Sequence, residues 1–399
     1  MPSPLRVLCL DIEGGHGGSS RSLFQALKHM DREAAAVEVW CRRPGPVQEW
    51  YAALGIPCRV EPDMPKVTAV PRLSRNLYMQ AVHLRDAFRS RGFRARLAAA
   101  SAAVSAVHLN HESLAGLAAW LRPHTRAAIV VHNRTMLPDN WFARRQVRLM
   151  QAGADRLVFI TANEEANVRR LGCGTPGEVI HNAAEIPDRM PEPFPGIPLD
   201  GRLRVACLSN YSWGRGLDRL VDVAQELRQL GREDVLFVLA GDMGLTAALP
   251  GELGRIGARG GSLADYAQAR GVAGYFRFLG HVSEPERVLA ACAALAKPTR
   301  EHNPWGRDIL EALALGRPVL TVGSCATFVR NGETGVLQPE FSARGMAEAL
   351  AGLADAPDRI GEMGRRAVAV IRDLCSGPDR AADLVRAWRA AAESRSGRP

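Results

Sequence analysis

The sequence predicts an α/β protein made of two doubly wound domains, each with a parallel sheet covered by helices on both faces. Strand-like apolar runs alternate with helical segments along the whole chain, and one proline-rich segment divides them. The strand-like runs are nearly continuous in apolar residues, which is typical of strands buried on both faces of a parallel sheet. The 399 residues suffice for two such domains.

Thirteen short apolar runs are the predicted strands. In the first half they lie at 6–12, 36–41, 57–62, 105–110, 127–133, 156–161 and 178–182. In the second half they lie at 203–210, 234–241, 275–280, 295–299, 318–322 and 335–339. The segments between them carry apolar residues at helical spacing. Two such domains are expected to face a central cleft, where ligands bind at the carboxyl ends of the strands.

The domain boundary is predicted from proline, since residues 186–201 contain five prolines. Proline lacks an amide donor and has a fixed φ, so neither a helix nor a central strand crosses this segment. We therefore predict a first domain at 1–186, a linker at 187–200 and a second domain at 201–378. The remaining residues, 379–399, are expected to form a helix that crosses back to the first domain.

The composition excludes several classes of protein. The eight cysteines are scattered without a zinc-type cluster, which predicts reduced and mostly buried thiols. The first residues lack the layout of a signal peptide. No apolar run approaches the roughly 20 residues that are needed to span a bilayer. These features predict a cytoplasmic protein.

The net charge of +9 is concentrated in the first half, above all at 72–97, which has seven arginines and one acid. Two interpretations fit this segment: a solvated helical face, or a basic surface for an anionic membrane or a phosphate-bearing acceptor. The second interpretation places the protein peripherally at the inner face of the membrane. Nucleic acid is not an expected partner, because no helix-turn-helix, zinc finger or aromatic RNA platform accompanies the arginines.

A glycine-rich loop follows the first strand, with glycines at 14, 15, 17 and 18 before a helix. Glycines let the backbone approach a ligand closely, and a helix start offers amide groups to an anion. The loop matches neither a dinucleotide fingerprint nor a Walker loop. A tight turn and an anion-facing loop both remain open from the residues alone.

In the second half, the strand at 203–210 ends at Asn210, and Arg215 follows in a glycine-flanked loop before a helix. A cation at the carboxyl end of a strand suits a diphosphate. The alternative is a solvated arginine.

The most informative segment is NPWGRDILEALALG at 303–316. Pro304 suits a helix start, because its missing amide would have no partner in the first turn. Trp305 and Gly306 then place bare backbone amides beside a large flat side chain, an arrangement that can hold phosphate oxygens. Glu311 follows Asn303 by about two helical turns, so both could face one ligand. The alternative is a surface turn before a packed helix.

These motifs resemble the family-four retaining glycosyltransferases, which have the GT-B architecture of two Rossmann-like domains. The resemblance covers nearly the whole chain. EALALGRPVL at 311–320 resembles the family's glutamate-initiated helix that ends in Gly-x-Pro-Val, and 215–218 resembles its Lys-Gly-hydrophobic-Asp motif. Further matches occur in the family's order at 17–22, 130–134, 179–187, 278–288 and 328–337.

The resemblance implies transfer of a sugar from a nucleoside diphosphate-sugar with retention of configuration, and it implies no cofactor and no metal. The acceptor would be a hydroxyl of a polysaccharide, glycolipid or metabolite. By position, Glu311 binds the ribose, Arg215 binds the diphosphate, and His132 faces the reacting sugar. The other donor-binding positions implied by the resemblance are Gly17, Gly18, Asn210, Gly216, Val282, Trp305, Gly306, Arg307, Asp308 and Ile309.

The sequence leaves the family's pattern at two positions. The first family glutamate, a catalytic position, falls on Asn303, whose amide can bind sugar hydroxyls but carries no negative charge. The arginine that usually closes the first strand of the second domain falls on Asn210, and Arg300 or Arg307 could compensate for it. The alternatives are therefore a non-catalytic nucleotide-sugar-binding subunit or a GT-B sugar-nucleotide epimerase.

Overall fold

The computed structural model describes residues 4–65, 85, 88–301 and 305–397. The chain forms two compact units, one running to Ala183 and resuming at Cys375, the other spanning Ala184–Leu374. Asn303, Pro304 and most of the basic segment 72–97 lie outside the described residues.

The first unit is built on a seven-stranded parallel sheet with the order β3-β2-β1-β4-β5-β6-β7. All seven predicted strands of the first half are confirmed. Their bounds are β1 Leu5–Asp11, β2 Ala35–Cys41, β3 Cys58–Val60, β4 Ala106–Leu109, β5 Ala128–Asn133, β6 Arg156–Phe159 and β7 Gly177–Val179.

Helices cover both faces of this sheet. The described helices are α1 Gly18–Lys28, α2 Val47–Ala53, α3 Arg91–Ser101, α4 Ala115–Leu121, α5 Trp141–Gly153, α6 Ala162–Arg170 and the C-terminal α14 Gly377–Ser396. One face forms a core with α3, α4 and α5, through Phe93, Leu117 and Val147. The opposite face forms a core with α1, α2 and α14, in which Trp388 of α14 is fully buried.

The second unit has a six-stranded parallel sheet with the order β10-β9-β8-β11-β12-β13. All six predicted strands of the second half are confirmed. Their bounds are β8 Leu203–Leu208, β9 Val235–Ala240, β10 Phe276–Gly280, β11 Ala294–Lys297, β12 Val319–Val322 and β13 Gly335–Gln338. The described helices are α7 Arg219–Gln229, α8 Gly251–Gly257, α9 Leu263–Ala269, α10 Pro285–Ala291, α11 Arg307–Ala314, α12 Ala343–Asp355 and α13 Pro357–Leu374.

Each sheet has one place where the strand order reverses. In the first sheet β1 lies between β2 and β4, and in the second β8 lies between β9 and β11. Within the second sheet, Val205 of β8 is paired with Phe237 on one side and with Ala294 on the other. Ligands of doubly wound sheets bind at the carboxyl ends of the strands at such a reversal. The segments that follow β1, β4, β8 and β11 are therefore the candidate ligand-binding segments.

Two predictions from composition can be compared with the structure. Seven of the eight cysteines are buried, which confirms the prediction of mostly buried thiols. Within the described ranges, no helix combines the length and the apolar character that crossing a bilayer requires.

Candidate functional site

The loop after β8 is tied to the segment after β11, at the strand-order reversal of the second unit. The Arg300 amide donates to the Gly214 carbonyl oxygen at 2.8 Å, and the Thr299 hydroxyl donates to the same oxygen at 3.2 Å. Gly216 has a left-handed backbone with φ of 70°, and a Cβ there would overlap the Pro298 carbonyl oxygen. Glycine is therefore required at 216, because only glycine allows both the conformation and the close approach.

Arg215 is the cation that this loop presents to solvent. Its side chain is exposed and has no hydrogen bond or ion pair with any of the described residues. Arg300, in contrast, donates to the Asp218 carboxylate at 2.8 and 2.5 Å and lies 3.5 Å from the centre of the Trp213 ring. Because Arg300 is already neutralised by Asp218, we consider Arg215 the cation available to an anionic ligand here.

The start of α11 is organised by a buried ion pair that sequence analysis missed. Lys297, at the end of β11, donates to Asp308 Oδ1 at 2.9 Å, and only 5% of Lys297 is exposed. The Lys297 ammonium lies so close to Gly306 that a Cβ on this glycine would overlap it. The pair thus joins β11 to the first turn of α11, and a side chain at 306 would displace it. A sequence signal existed: Lys297 is one of only three lysines in the chain.

Glu311 lies on α11 with one carboxylate oxygen engaged. Arg307 donates to Glu311 Oε1 from Nε at 3.1 Å and from Nη2 at 3.0 Å. Both side chains are partly exposed. The second oxygen, Oε2, has no hydrogen-bond partner among the described residues, so it can accept a bond from a ligand hydroxyl. Arg307 therefore holds Glu311 in place, and it does not replace the missing arginine at 210 as a free cation.

The other predicted residues of this unit have varied surroundings. Trp305 is only 4% exposed, so its side chain is buried. Asn210 Oδ1 accepts from the Asp242 amide at 2.9 Å, which connects the end of β8 to the loop after β9. The Ile309 amide donates to the Gly306 carbonyl oxygen at 2.9 Å. Val282 is half-buried in the loop after β10.

In the first unit, the glycine loop leads directly into α1. Gly17 precedes the helix with extended backbone, and α1 begins at Gly18 without a side-chain cap. The Glu13 carboxylate lies against the Gly17 Cα, so that a Cβ there would overlap it. A carboxylate at a helix start is favoured by the helix dipole. The Glu13 carboxylate thus occupies the start of α1, where it would repel a second anion, and both interpretations of the loop stay open.

A buried carboxyl group fixes the conformation of the glycine loop. Asp11 at the end of β1 accepts from the Ser20 hydroxyl through Oδ2 and from Asn110 Nδ2 through Oδ1, the latter at 3.2 Å. Ser20 Oγ accepts in turn from the Gly15 amide at 3.0 Å. Burial raises the pKa of Asp11 to about 6, against the hydrogen bonds from Ser20 and Asn110. This network makes the loop conformation depend on Asp11.

Arg134 extends the network to the ends of other strands. It donates to the Asn110 side-chain oxygen from Nε at 3.0 Å and from Nη2 at 2.5 Å. It also donates to Asn182 Oδ1 at 2.9 Å, and its Nη2 lies 3.2 Å from His132 Nδ1. His132 precedes Arg134 by two residues, whereas Asn110 and Asn182 are distant in sequence and are brought close by the sheet order.

His132, the predicted sugar-facing residue, is only 5% exposed. Its ring lies 5.5 Å from that of His108, and Trp388 Nε1 donates to His108 Nδ1 at 3.2 Å. Burial, together with the positive charge of Arg134, lowers the pKa of His108 to about 3 and that of His132 well below its usual range. Both rings are therefore neutral at physiological pH.

Comparison with protein families decides the membership of the chain. Residues 17–183 match the model of the glycosyl transferase 4-like domain, and residues 202–356 match that of the glycosyl transferases group 1. The chain belongs to the group 1 glycosyltransferases. Family membership favours glycosyl transfer over the two alternatives that the sequence had left open.

Relatives of this group 1 glycosyltransferase include proteins named as glycosyltransferases of different kinds. It is 26% identical to the D-inositol 3-phosphate glycosyltransferase of Gordonia bronchialis, over 92% of this chain and 84% of that one. It is 30% identical to the alpha-D-kanosaminyltransferase of Streptomyces kanamyceticus, over 40% of this chain and 38% of that one. The relatives support glycosyl transfer as the activity.

Solved structures of similar fold support the GT-B architecture. Anabaena HepE in complex with UDP superposes with a TM-score of 0.75 at 18% identity, covering 97% of this chain and all of that one. The sucrose-phosphate synthase of Thermosynechococcus elongatus superposes with a TM-score of 0.67 at 16% identity, covering 97% of this chain and 98% of that one. The predicted fold of two Rossmann-like domains is confirmed.

Proposed function

We propose that this group 1 glycosyltransferase moves a sugar from a uridine diphosphate-sugar to a hydroxyl acceptor, with retention of configuration and without a metal ion. The arrangement at the reversal between β8 and β11 carries the proposal. There, the exposed Arg215, which has no ion pair among the described residues, follows one strand, and α11, with Gly306 before its first turn, follows the other. Uridine is chosen because HepE of the same fold is described with UDP and with UDP-glucose.

The residues of the second unit have complementary roles in this proposal. Arg215 neutralises the diphosphate as the bond to the sugar breaks, which is where negative charge develops. Backbone amides at the start of α11 bind the same phosphates, favoured by the helix dipole. Glu311 accepts from a ribose hydroxyl through its unpaired Oε2. Val282 and the neighbouring backbone contact the base.

Retention follows if the acceptor hydroxyl attacks from the face that the diphosphate leaves. A phosphate oxygen of the leaving group is then the base for the hydroxyl proton, so no side chain is required for this step. Arg215 and the helix amides supply the positive charge that a metal ion supplies in other transferases. Asn303 hydrogen-bonds sugar hydroxyls in this scheme. It takes the position where the family has a carboxylate.

Binding of UDP-sugars should depend on Arg215. We expect UDP-glucose or another UDP-sugar to raise the melting temperature, and GDP-, ADP- and dTDP-sugars to raise it less. Replacing Arg215 with alanine should weaken binding roughly tenfold, since one charge-assisted hydrogen bond contributes about 1.5 kcal/mol. Thermal shift titration measures this, and incubation with EDTA together with NMR of the product anomer tests metal independence and retention.

The matched control is Arg365→Ala, which removes another exposed arginine, on α13. This variant should bind the UDP-sugar like the unmodified protein. The proposed function is wrong if no nucleotide-sugar stabilises the protein. Equal weakening by both variants would instead show that Arg215 acts only through the overall charge.

We further propose that the segment 72–97 contacts an anionic membrane surface. The described end of this segment includes Phe88, which is exposed, with the Arg91 guanidinium 3.9 Å from its ring centre. Arg96 is engaged by Glu61 at 2.6 Å, whereas Arg89 and Arg91 are exposed and carry the contact in this proposal. Vesicles with about 30% anionic lipid should co-sediment the protein at low salt, and binding should fall as salt screens the charges. Equal binding to neutral vesicles would contradict the proposal.

A further inference from the structure

The contact between Arg134 and His132 determines which ring nitrogen of the histidine carries the proton. Arg134 Nη2 and His132 Nδ1 are 3.2 Å apart. A guanidinium has donors only and is not deprotonated in proteins, so Nδ1 must accept. In a neutral ring the other nitrogen then carries the hydrogen. His132 is therefore a neutral imidazole with its proton on Nε2.

The surroundings of His132 keep it neutral. The charged and titratable groups that act on it are Arg134, His108 and His111, and each of them disfavours a positive charge on the ring. Trp388 donates to His108 Nδ1, so His108 is also a neutral acceptor on that nitrogen. No carboxylate among the described residues is hydrogen-bonded to His132 to favour protonation.

The Nε2 group of His132 is a buried donor without an acceptor among the described residues. Leaving such a donor unpaired costs about 1–3 kcal/mol, so the site is improved by a ligand oxygen that accepts from it. An N–H group cannot also take a proton. The lack of a partner for Nε2 among the described residues points to a ligand.

Arg134 is itself held rigidly, which allows it to determine the tautomer. Its guanidinium donates to Asn110 and Asn182, and its backbone amide donates to Glu112 Oε2 at 2.9 Å. Asn110 is oriented in turn by its bond to Asp11. The hydrogen bonds of the two asparagines fix the direction in which Nη2 points.

We propose that Arg134 is a positioning residue that holds His132 as a neutral Nε2–H donor, so that the histidine gives a hydrogen bond to the reacting sugar and does not act as its base. The hydrogen bond to the sugar rests on the proposed function. The assignment of the His132 tautomer does not depend on the proposed function. A base for the acceptor must then be sought elsewhere, which agrees with a phosphate oxygen of the leaving group in that role.

Nitrogen-15 NMR of protein labelled in histidine tests the tautomer without any assay of activity. His132 should show an unprotonated Nδ1 and a protonated Nε2 between about pH 5 and 8, and His132→Gln identifies its signals by their loss. Arg134→Met removes the donor to Nδ1, so a mixture of tautomers is expected. Arg134→Lys keeps a side chain that only donates and should preserve the tautomer. A protonated Nδ1 in the unmodified protein, or no change in Arg134→Met, overturns the proposal.

Transfer kinetics then test the role of the donor. His132→Gln retains an Nε2 donor that cannot act as a base, so it should lose less of kcat than His132→Ala. Arg134→Met should lower kcat roughly tenfold, as expected for one misdirected hydrogen bond, with UDP-sugar affinity within about twofold of normal. Arg148→Met removes an exposed arginine on α5 and is the control. Equal losses in His132→Gln and His132→Ala would contradict the donor role, whereas failure to bind any nucleotide-sugar would contradict only the proposed function.

Discussion

Replacing Lys297 with methionine should destabilise the second unit by about 3 kcal/mol, because it leaves the Asp308 carboxylate buried without its cation. The pair is 2.9 Å apart, and the exposed side-chain fractions are 6% for lysine and 12% for aspartate. The loss should lie at the lower end of the range for buried pairs, since Asp308 lies in the first turn of α11, where the helix dipole favours negative charge. Urea unfolding measures the change.

The same reasoning predicts an asymmetry between the two partners. Asp308→Asn leaves an ammonium group at the positive end of the α11 dipole, so it should cost more than Lys297→Met. The double variant leaves no buried charge, and its stability should return most of the way to that of the unmodified protein. Arg366→Met on α13 removes the exposed pair with Glu362 and should leave the unfolding midpoint unchanged. A double variant as unstable as Lys297→Met would show that packing, not charge, causes the loss.

The strands could be predicted from the sequence because a strand buried on both faces has little freedom of composition. AIVVHN and VLFVLA are wholly buried in the sheets, and they are equally evident as apolar runs. The strand β11 contains Lys297, which the sequence placed within an apolar run without an explanation. Its partner Asp308 lies eleven residues later and across a turn, so the pairing became visible only in three dimensions.

The site could be predicted only where it depends on local spacing. Glu311, Gly306 and Arg215 each belong to a motif whose residues are contiguous in the sequence. The environment of a side chain does not follow from such motifs, since Trp305 is only 4% exposed although the motif places it beside Gly306. Arg134 was missed because two of its partners, Asn110 and Asn182, follow the separate strands β4 and β7, and only the sheet order brings them to the end of β5.

Acidification from pH 7 to pH 5 should destabilise the first unit, because the losses at His108 and His132 outweigh a gain at Asp11. The pKa of His108 is about 3 in the folded protein and 6.5 in the unfolded chain, so on acidification the unfolded chain binds a proton first. The free energy of unfolding therefore falls by about 2 kcal/mol. The lowered pKa of His132 acts in the same direction. Asp11 opposes them, because its raised pKa of about 6 lets the folded state bind a proton earlier, which returns about 1.3 kcal/mol.

A variant can isolate the contribution of His108. An asparagine at 108 places its side-chain oxygen near the position that His108 Nδ1 occupies, where it can accept the hydrogen bond from Trp388. Unlike histidine, asparagine does not titrate. In His108→Asn, urea unfolding at the two pH values should therefore show a pH dependence smaller by about 2 kcal/mol. His124→Asn, which changes an exposed histidine, should keep the full dependence. If His108→Asn is as acid-sensitive as the unmodified protein, then His108 is protonated in the fold, and the loss of stability arises from other groups.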